Sequence, residues 1–246
     1  MEIILGLLLG VTIGATGVGG GTLVAPALIL FLGYAPRSAV ATALIYSAAV
    51  KLLVSAVYLI KHQVDFRVLT YLLVGGVPGA VIGAMALQRL ANLKADQWVV
   101  CGVGAIVTIS ALFKLICPPA ILQKNQDRHQ LLSLGAFPIG LEVGFSSAGS
   151  GALGSLLIFH LTSLSAPTVV GTDLVFGMVV SIVGGGIHSL SGNCDWSTLG
   201  RMIPAGILGT LAGVHISSKL APGALRKAVL VCVASVGIML LTKGFQ

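Results

Sequence analysis

Charged residues are scarce in this chain of 246 residues, since Asp, Glu, Lys and Arg together make up only 9% of it. Soluble domains carry about a quarter charged residues, so the composition excludes an ordinary soluble fold. Hydrophobic residues account for 56%, and the mean hydropathy is +1.04. These values indicate a polytopic membrane protein, which we expect to be all-α.

The sequence also lacks the signatures of several functional classes. No G-x-x-x-x-G-K-[ST] motif occurs, which argues against an ATP-driven pump. Neither H-E-x-x-H nor a paired nucleophile and base is present, so we expect no enzyme. The four cysteines lie far apart without a C-x-x-C pair, and we predict neither a metal site nor a cofactor. The net charge of +7 falls mostly in short polar breaks and does not indicate nucleic-acid binding.

Polar breaks divide the chain into eight apolar segments. The first apolar run has no basic region before it, so we expect it to be retained rather than cleaved as a signal peptide. The longest polar stretch lies near the middle of the chain. We therefore predict a first transmembrane repeat at 1–116, a linker at 117–130 and a second transmembrane repeat at 131–246.

The two halves of the chain are similar in sequence. One ungapped shift of 130 positions aligns Gly14 with Gly144, and Gly79 with Gly209. Such a shift, maintained over roughly 80 residues, indicates an internal duplication. Secondary transporters often have this plan, with the substrate site between the repeats.

Each repeat begins with an apolar run that is too long for one straight crossing. A helix of about 30 residues reaches roughly 45 Å, against a hydrocarbon core of about 30 Å. Glycine-rich sequences interrupt both runs, at Gly17–Thr22 and, more weakly, at Ser147–Ala152. We predict that the first segment of each repeat is broken or re-entrant at these glycines.

The basic residues favour inverted repeats. With re-entrant first segments, eight basic residues share one side of the membrane and five lie toward the other, leaving Lys51 aside. With segments that cross fully, the repeats are parallel and the division is seven against six. The positive-inside tendency therefore favours the inverted arrangement, with both termini outside.

The glycine interruptions and one intramembrane lysine point to a site for an anion. A half-helix that starts at such a break exposes N–H groups and the positive end of its dipole, which suit sulfite, a sulfonate or a carboxylate. Close helix packing is the alternative explanation, and we favour it for Gly76, Gly79 and Gly83. The predicted substrate-binding residues are Gly19, Gly20, Gly21, Thr22, Lys51, Ser147, Gly149, Ser150 and Gly151.

Further ionisable residues lie within the apolar segments. Asp173 follows Thr172, and Glu142 precedes the second glycine-rich sequence. Asp173 and Glu142 can carry a coupling proton or balance charge, including in an ion pair with Lys51, and we predict that Thr172 belongs to the same coupling or charge-pair group. His188 is a proton carrier or a hydrogen-bonding residue at an interface.

Several motifs together resemble the sulfite exporter TauE/SafE family over essentially the whole chain. They are Gly17–Pro26, Ala41–Leu44, Gly75–Gly79, Gly171–Leu174, Gly185–His188 and Gly192–Trp196. The resemblance implies a membrane transporter of sulfur-containing oxyanions or organosulfonates, usually an exporter. The second glycine-rich sequence differs from the family's run of glycines, because serines stand at 146, 147 and 150.

We therefore expect a proton-coupled secondary transporter in the cell inner membrane that exports sulfite, thiosulfate or an organosulfonate. Its partners would be the small anion and the lipid bilayer, with a homodimer left open. A passive anion channel and a transporter of small carboxylates remain the alternatives, since helix dipoles and a lysine suit those functions too.

Overall fold

The computed structural model describes residues 1–16, 21–92, 96–116, 129–148, 152–217, 231 and 233–242. Within these ranges the chain is helical and has no strand, which confirms the all-α prediction. The helices are α1 Glu2–Thr16, α2 Gly21–Phe31, α3 Pro36–Ile60, α4 Phe66–Asn92, α5 Asp96–Ile116, α6 His129–Ser146, α7 Ala152–Leu161, α8 Ala166–Leu190, α9 Trp196–Ser217 and α10 Val233–Thr242.

Three of the described helices are long and apolar enough to cross a membrane: Pro36–Ile60, Phe66–Leu90 and Ala166–Leu190. The predicted count of eight apolar segments is not confirmed. Each long first run instead contains two helices, α1 and α2 in one half and α6 and α7 in the other. A straight helix over either run would exceed the thickness of the hydrocarbon core, which is the physical reason for the division.

Helices recur at the spacing of the sequence repeat. Both α3 and α8 are 25 residues long and begin 130 positions apart, at Pro36 and Ala166. The next helices, α4 and α9, begin at Phe66 and Trp196, again 130 positions apart. A proline lies in the first turn of both α3 and α8. Backbone N–H groups in the first turn have no hydrogen-bond partner within the helix, so proline, which has no N–H, costs no hydrogen bond there.

Glycines bring α1 and α9 into close contact. At intervals of four residues, α1 places glycines against backbone carbonyls of α9: Gly6 faces Met202, Gly10 faces Gly206 and Gly14 faces Thr210. The constant offset between the partners shows that the two helices run parallel. A Cβ at any of these glycines would overlap the facing carbonyl oxygen, so the close approach depends on glycine.

The same contact recurs between α4 and α6. There Gly75 faces Ser133, Gly79 faces Phe137 and Gly83 faces Leu141, again at a constant offset and therefore in parallel. The packing role predicted for Gly79 and Gly83 is confirmed. In both contacts a helix of one half packs against a helix of the other half.

Helices α3 and α8 cross in opposite directions. Leu44 lies beside Gly184, whereas Tyr58, further along α3, lies beside Gly171, which comes earlier in α8. The partner's number falls as the α3 number rises, so the two helices are antiparallel. Lys51 lies midway between Leu44 and Tyr58 in sequence, which places it at the crossing.

The chain from α1 to α2 begins and ends at one end of the molecule. The Thr198 hydroxyl oxygen, near the start of α9, is 3.4 Å from a Glu2 carboxylate oxygen and 2.6 Å from the Tyr34 hydroxyl. Glu2 begins α1 and Tyr34 follows α2. The segment between them therefore enters the protein and returns to the same end.

We predict that Gly209→Ala destabilises the protein, because the new Cβ would overlap the backbone carbonyl oxygen of Leu7 in α1. The matched control is Gly200→Ala in the same helix, where nothing lies within 4 Å of the added atom. Overpacking of this kind costs about 1–3 kcal/mol. Thermal unfolding of the detergent-purified proteins measures the difference, and equal unfolding midpoints for the two variants would contradict the close contact.

Candidate functional site

Lys51 is the centre of a buried polar stripe on α3. Its side chain is only 1% exposed, and Ser47 and Ser55 lie one turn before and one turn after it. Residues four positions apart share one face of a helix, so the three side chains follow one another along α3. Both serine hydroxyls are buried and have no hydrogen-bond partner among the described residues. The stripe combines a cation with two hydroxyl donors.

The start of α2 is buried in the same part of the protein. Thr22, in the first turn of α2, is 3% exposed and comes nine residues before Phe31, the last residue of the helix, or about 14 Å along it. Lys51 comes fifteen residues after Pro36, or about 22 Å along α3, which packs against α2. Gly21 is the first residue of α2, while Gly19 and Gly20 lie outside the described residues.

The second glycine-rich sequence begins where α6 ends, at Ser146. Ser147 is 2% exposed and has a φ of 60°, so the backbone turns out of the helix there. The Ser146 hydroxyl donates to the carbonyl oxygen of Glu142 at 2.9 Å and accepts the Ala148 N–H at 3.2 Å, which stabilises this end of α6. The predicted residues Gly149, Ser150 and Gly151 lie outside the described residues.

His188 of α8 contacts this same part of α6. Its Nε2 lies 3.1 Å from the carbonyl oxygen of Gly144, two residues before Ser146, and the side chain is fully buried. A carbonyl can only accept a hydrogen bond, so Nε2 is the donor. Nδ1 is also buried and has no hydrogen-bond partner within the described ranges. The structure thus brings His188 to the break after α6 and leaves one ring nitrogen available as an acceptor.

Asp173 links α7 to α8. Its carboxylate is 2% exposed and accepts a hydrogen bond from the Ser155 hydroxyl at 2.5 Å. It packs over Gly154, where a Cβ would overlap the carboxylate. The residues 130 positions earlier than Asp173 and Ser155 are Ala43 and Ala25, so the first half has no equivalent pair. An ion pair between Lys51 and either Asp173 or Glu142 stays a prediction.

Thr172 has a structural contact. Its hydroxyl accepts the Asp65 N–H at 2.9 Å, and in the reciprocal place Thr42 accepts the Asp195 N–H at 3.4 Å. Each threonine therefore ties its half of the chain to the start of a helix in the other half.

Asp65 and Asp195 cap the helices that follow them. An Asp65 carboxylate oxygen accepts the Val68 N–H at 2.9 Å at the start of α4. An Asp195 carboxylate oxygen accepts the Thr198 N–H at 3.0 Å at the start of α9. These bonds satisfy backbone donors that have no partner within the helix.

Asp195 also belongs to a polar network that the sequence did not suggest. The Tyr34 hydroxyl donates to its carboxylate at 2.5 Å, and Arg201 forms an ion pair with Glu2 at 3.0 Å close by. The hydrogen bonds from the Tyr34 hydroxyl and from the Thr198 N–H lower the pKa of Asp195. Burial, followed by the bond to Asp195, raises the pKa of Tyr34. The residue 130 positions after Tyr34 is Leu164, so the second half has no tyrosine at the equivalent position.

We predict that Tyr34→Phe destabilises the protein in a pH-dependent way. A carboxylate whose folded pKa is lowered adds stability above its unfolded pKa of about 4, and this stability is lost as the pH falls through the folded pKa. The difference in unfolding midpoint between variant and wild type should therefore be fully present at pH 7 and shrink below about pH 4. Unfolding midpoints across this range measure it. In the Asp195→Asn background the difference should no longer depend on pH, and a pH-independent difference in the parent protein would contradict the network.

The fold and the buried groups together define a class of protein. An all-helical membrane protein whose helices recur in two halves, and whose core buries a lysine, an aspartate and a histidine, is typical of transporters of small solutes.

The sequence model of the sulfite exporter TauE/SafE family matches residues 2–240, and the chain belongs to that family of membrane transporters. It is similar to the probable membrane transporter protein YjnA of Bacillus subtilis (strain 168), with 29% identity over 231 residues, 89% of this chain and 91% of that protein. It is also similar to the probable membrane transporter protein YunE of the same strain, with 23% identity over 266 residues, 98% of this chain and 97% of that protein. No solved structure matches the chain significantly. The protein is thus a multi-pass transporter of the cell membrane.

Proposed function

We propose that the protein is a secondary transporter that exports small sulfur-containing anions such as sulfite, thiosulfate or an organosulfonate. One observation carries the proposal: Lys51 is buried at the crossing of α3 and α8, between two buried serine hydroxyls. A charged side chain at membrane depth is costly, and proteins retain one where it serves an ion or substrate pathway. An oxyanion needs what this stripe offers, a positive charge with hydrogen-bond donors beside it.

The two glycine-rich sequences would complete the anion site. The start of α2, with Gly21 and Thr22, belongs to a helix that packs against α3, and its N–H groups and dipole favour an anion. On the other side, the chain leaves α6 at Ser147, beside His188. Gly19, Gly20, Gly149, Ser150 and Gly151 belong to this site on the sequence pattern alone.

The proposed mechanism uses two inverted repeats. The antiparallel crossing of α3 with α8 supports inversion, because these are equivalent helices of the two halves. The contacts of Glu2 and Tyr34 with Thr198 support a re-entrant first segment. Because the α1 and α9 pair and the α4 and α6 pair each join the two halves, rocking of one pair against the other would keep these contacts and expose the Lys51 region to each side in turn.

Proton coupling would use the acidic and imidazole groups of the second half. Asp173 and His188 are buried, and Glu142 is half-buried on α6. A carboxylate or imidazole that binds a proton on one side of the membrane and releases it on the other would link anion movement to the proton gradient. Inward proton movement would then drive the anion outward.

We predict that Lys51→Ala removes most anion transport, because the substrate would lose its charged hydrogen-bond donor. Uptake of radiolabelled sulfite and thiosulfate into proteoliposomes should fall about tenfold or more. The control is Lys61→Ala, which removes an exposed lysine from the turn after α3 and should leave uptake unchanged. Normal uptake by the correctly folded Lys51→Ala protein would remove Lys51 from the site.

The same vesicles discriminate a transporter from a passive anion channel. With a proton gradient imposed, a coupled transporter should accumulate the anion above its equilibrium level, and the rate should saturate. Flux that stays proportional to concentration and never exceeds equilibrium would favour the channel. Uptake of acetate or another short carboxylate in preference to sulfur anions would favour the carboxylate transporter.

A further inference from the structure

A cavity lies away from the Lys51 region, between the first turns of α4 and α6. Its volume is about 620 Å³, and its lining residues are Arg67, Thr70, Tyr71, Val74, Gln130 and Ser133. The Ser133 hydroxyl donates to the carbonyl oxygen of Tyr71 at 2.8 Å, which joins the two helices beside the cavity. The Thr70 hydroxyl is likewise used, as a donor to Phe66. Further donors at the cavity include the Arg67 guanidinium and the Gln130 amide.

Arg67 is exposed and forms no ion pair with any residue that the structure describes. The nearest acid along the chain, Asp65, caps α4 through the Val68 N–H. The first turns of α6 contain no acidic residue. Among the residues that the structure describes, the first turns of α6 therefore offer no carboxylate to balance the positive charge at this cavity.

The other pair of parallel helices also has an arginine near its first turns, although the position equivalent to Arg67 is Ser197. At the first turns of α9 and α1, Arg201 forms an ion pair with Glu2 at 3.0 Å. The residue 130 positions after Glu2 is Leu132, which is apolar and fully buried. The α1 and α9 end thus carries its own anion, whereas the α4 and α6 end has a cavity where an external anion can enter.

The surroundings of the cavity fit a lipid. Val74 lines it and is 63% exposed, and Leu134, one turn after Gln130 on α6, is 73% exposed. Both lie further along their helices than the polar lining residues, toward the membrane-spanning part. A ligand with a charged head and apolar chains would contact Arg67 with its head and these side chains with its tails.

We propose that this cavity binds the headgroup phosphate of an anionic phospholipid. The Arg67 guanidinium pairs with the phosphate, and the Gln130 amide donates a further hydrogen bond. The lipid fills the space between α4 and α6 at the edge of the bilayer and stabilises their contact. This site is separate from the proposed substrate site and does not depend on which anion is transported.

The test uses the full chain purified in detergent and titrated with short-chain phosphatidylglycerol, with phosphatidylcholine and inorganic phosphate as the comparison ligands. Phosphatidylglycerol should raise the unfolding midpoint in a saturable way, and the other two should have little effect. In Arg67→Gln the concentration for half the effect should rise about tenfold. Lys61→Gln removes a charge at the same end of the molecule and should respond as the wild type does.

A second variant tests the comparison with the other helix pair. Gln130→Glu places a carboxylate in the cavity that Arg67 lines, much as Glu2 supplies one to Arg201. The protein without lipid should be at least as stable as the wild type, and the response to phosphatidylglycerol should be lost. Three results would overturn the proposal: an unchanged response in Arg67→Gln, an equal loss in Lys61→Gln, or a full response to inorganic phosphate alone.

Discussion

Close contact between glycine-bearing helices of opposite halves is the constraint on which the rest of the structure depends. Within a bilayer the hydrophobic effect does not drive helices together, because the lipid chains are as apolar as the side chains. Dispersion contacts at short range and interhelical hydrogen bonds must therefore hold the helices together. The α1 and α9 pair and the α4 and α6 pair meet this need with glycines facing backbone carbonyls. Since each pair joins the two halves, neither half can pack these helices by itself. The two pairs flank the antiparallel helices α3 and α8, and the crossing of those helices contains Lys51.

The scaffold is repeated, but its buried lysine, aspartate and histidine are not. Lys51 has Ser181 as its counterpart, Asp173 has Ala43, and His188 has Tyr58. Packing requires the same small residues in both halves, because the same close contacts are made twice. A bound anion and a coupling proton require charges of particular sign at particular places, and a symmetric set would duplicate the cost of burying them. Ionisable residues that differ between the two halves, within helix contacts that both halves repeat, therefore fit a transport function.

Much of the frame could be predicted from the sequence, because the repeat and the glycine spacing are periodic signals. The offset of 130 positions correctly relates α3 to α8 and α4 to α9, and the packing role of Gly79 and Gly83 is confirmed. The count of eight segments is not confirmed, because each first run contains two helices. The hydrogen bond from Tyr34 to Asp195 joins residues 161 positions apart, and a pattern of neighbouring residues cannot predict such a contact. Ser47 and Ser55 could have been found from their spacing of four residues from Lys51. The predicted site residues at 19, 20 and 149–151 stay predictions.

The most direct test of the central claim is equilibrium binding to the purified protein. Radiolabelled sulfite and thiosulfate would be titrated against the wild type and Lys51→Gln, with acetate as a competitor. If the Lys51 stripe holds the substrate, binding to the wild type is saturable, resists acetate, and is weakened at least about tenfold in the variant. Saturable binding of equal strength in Lys51→Gln would contradict the claim, and so would acetate competition as strong as that of the sulfur anions.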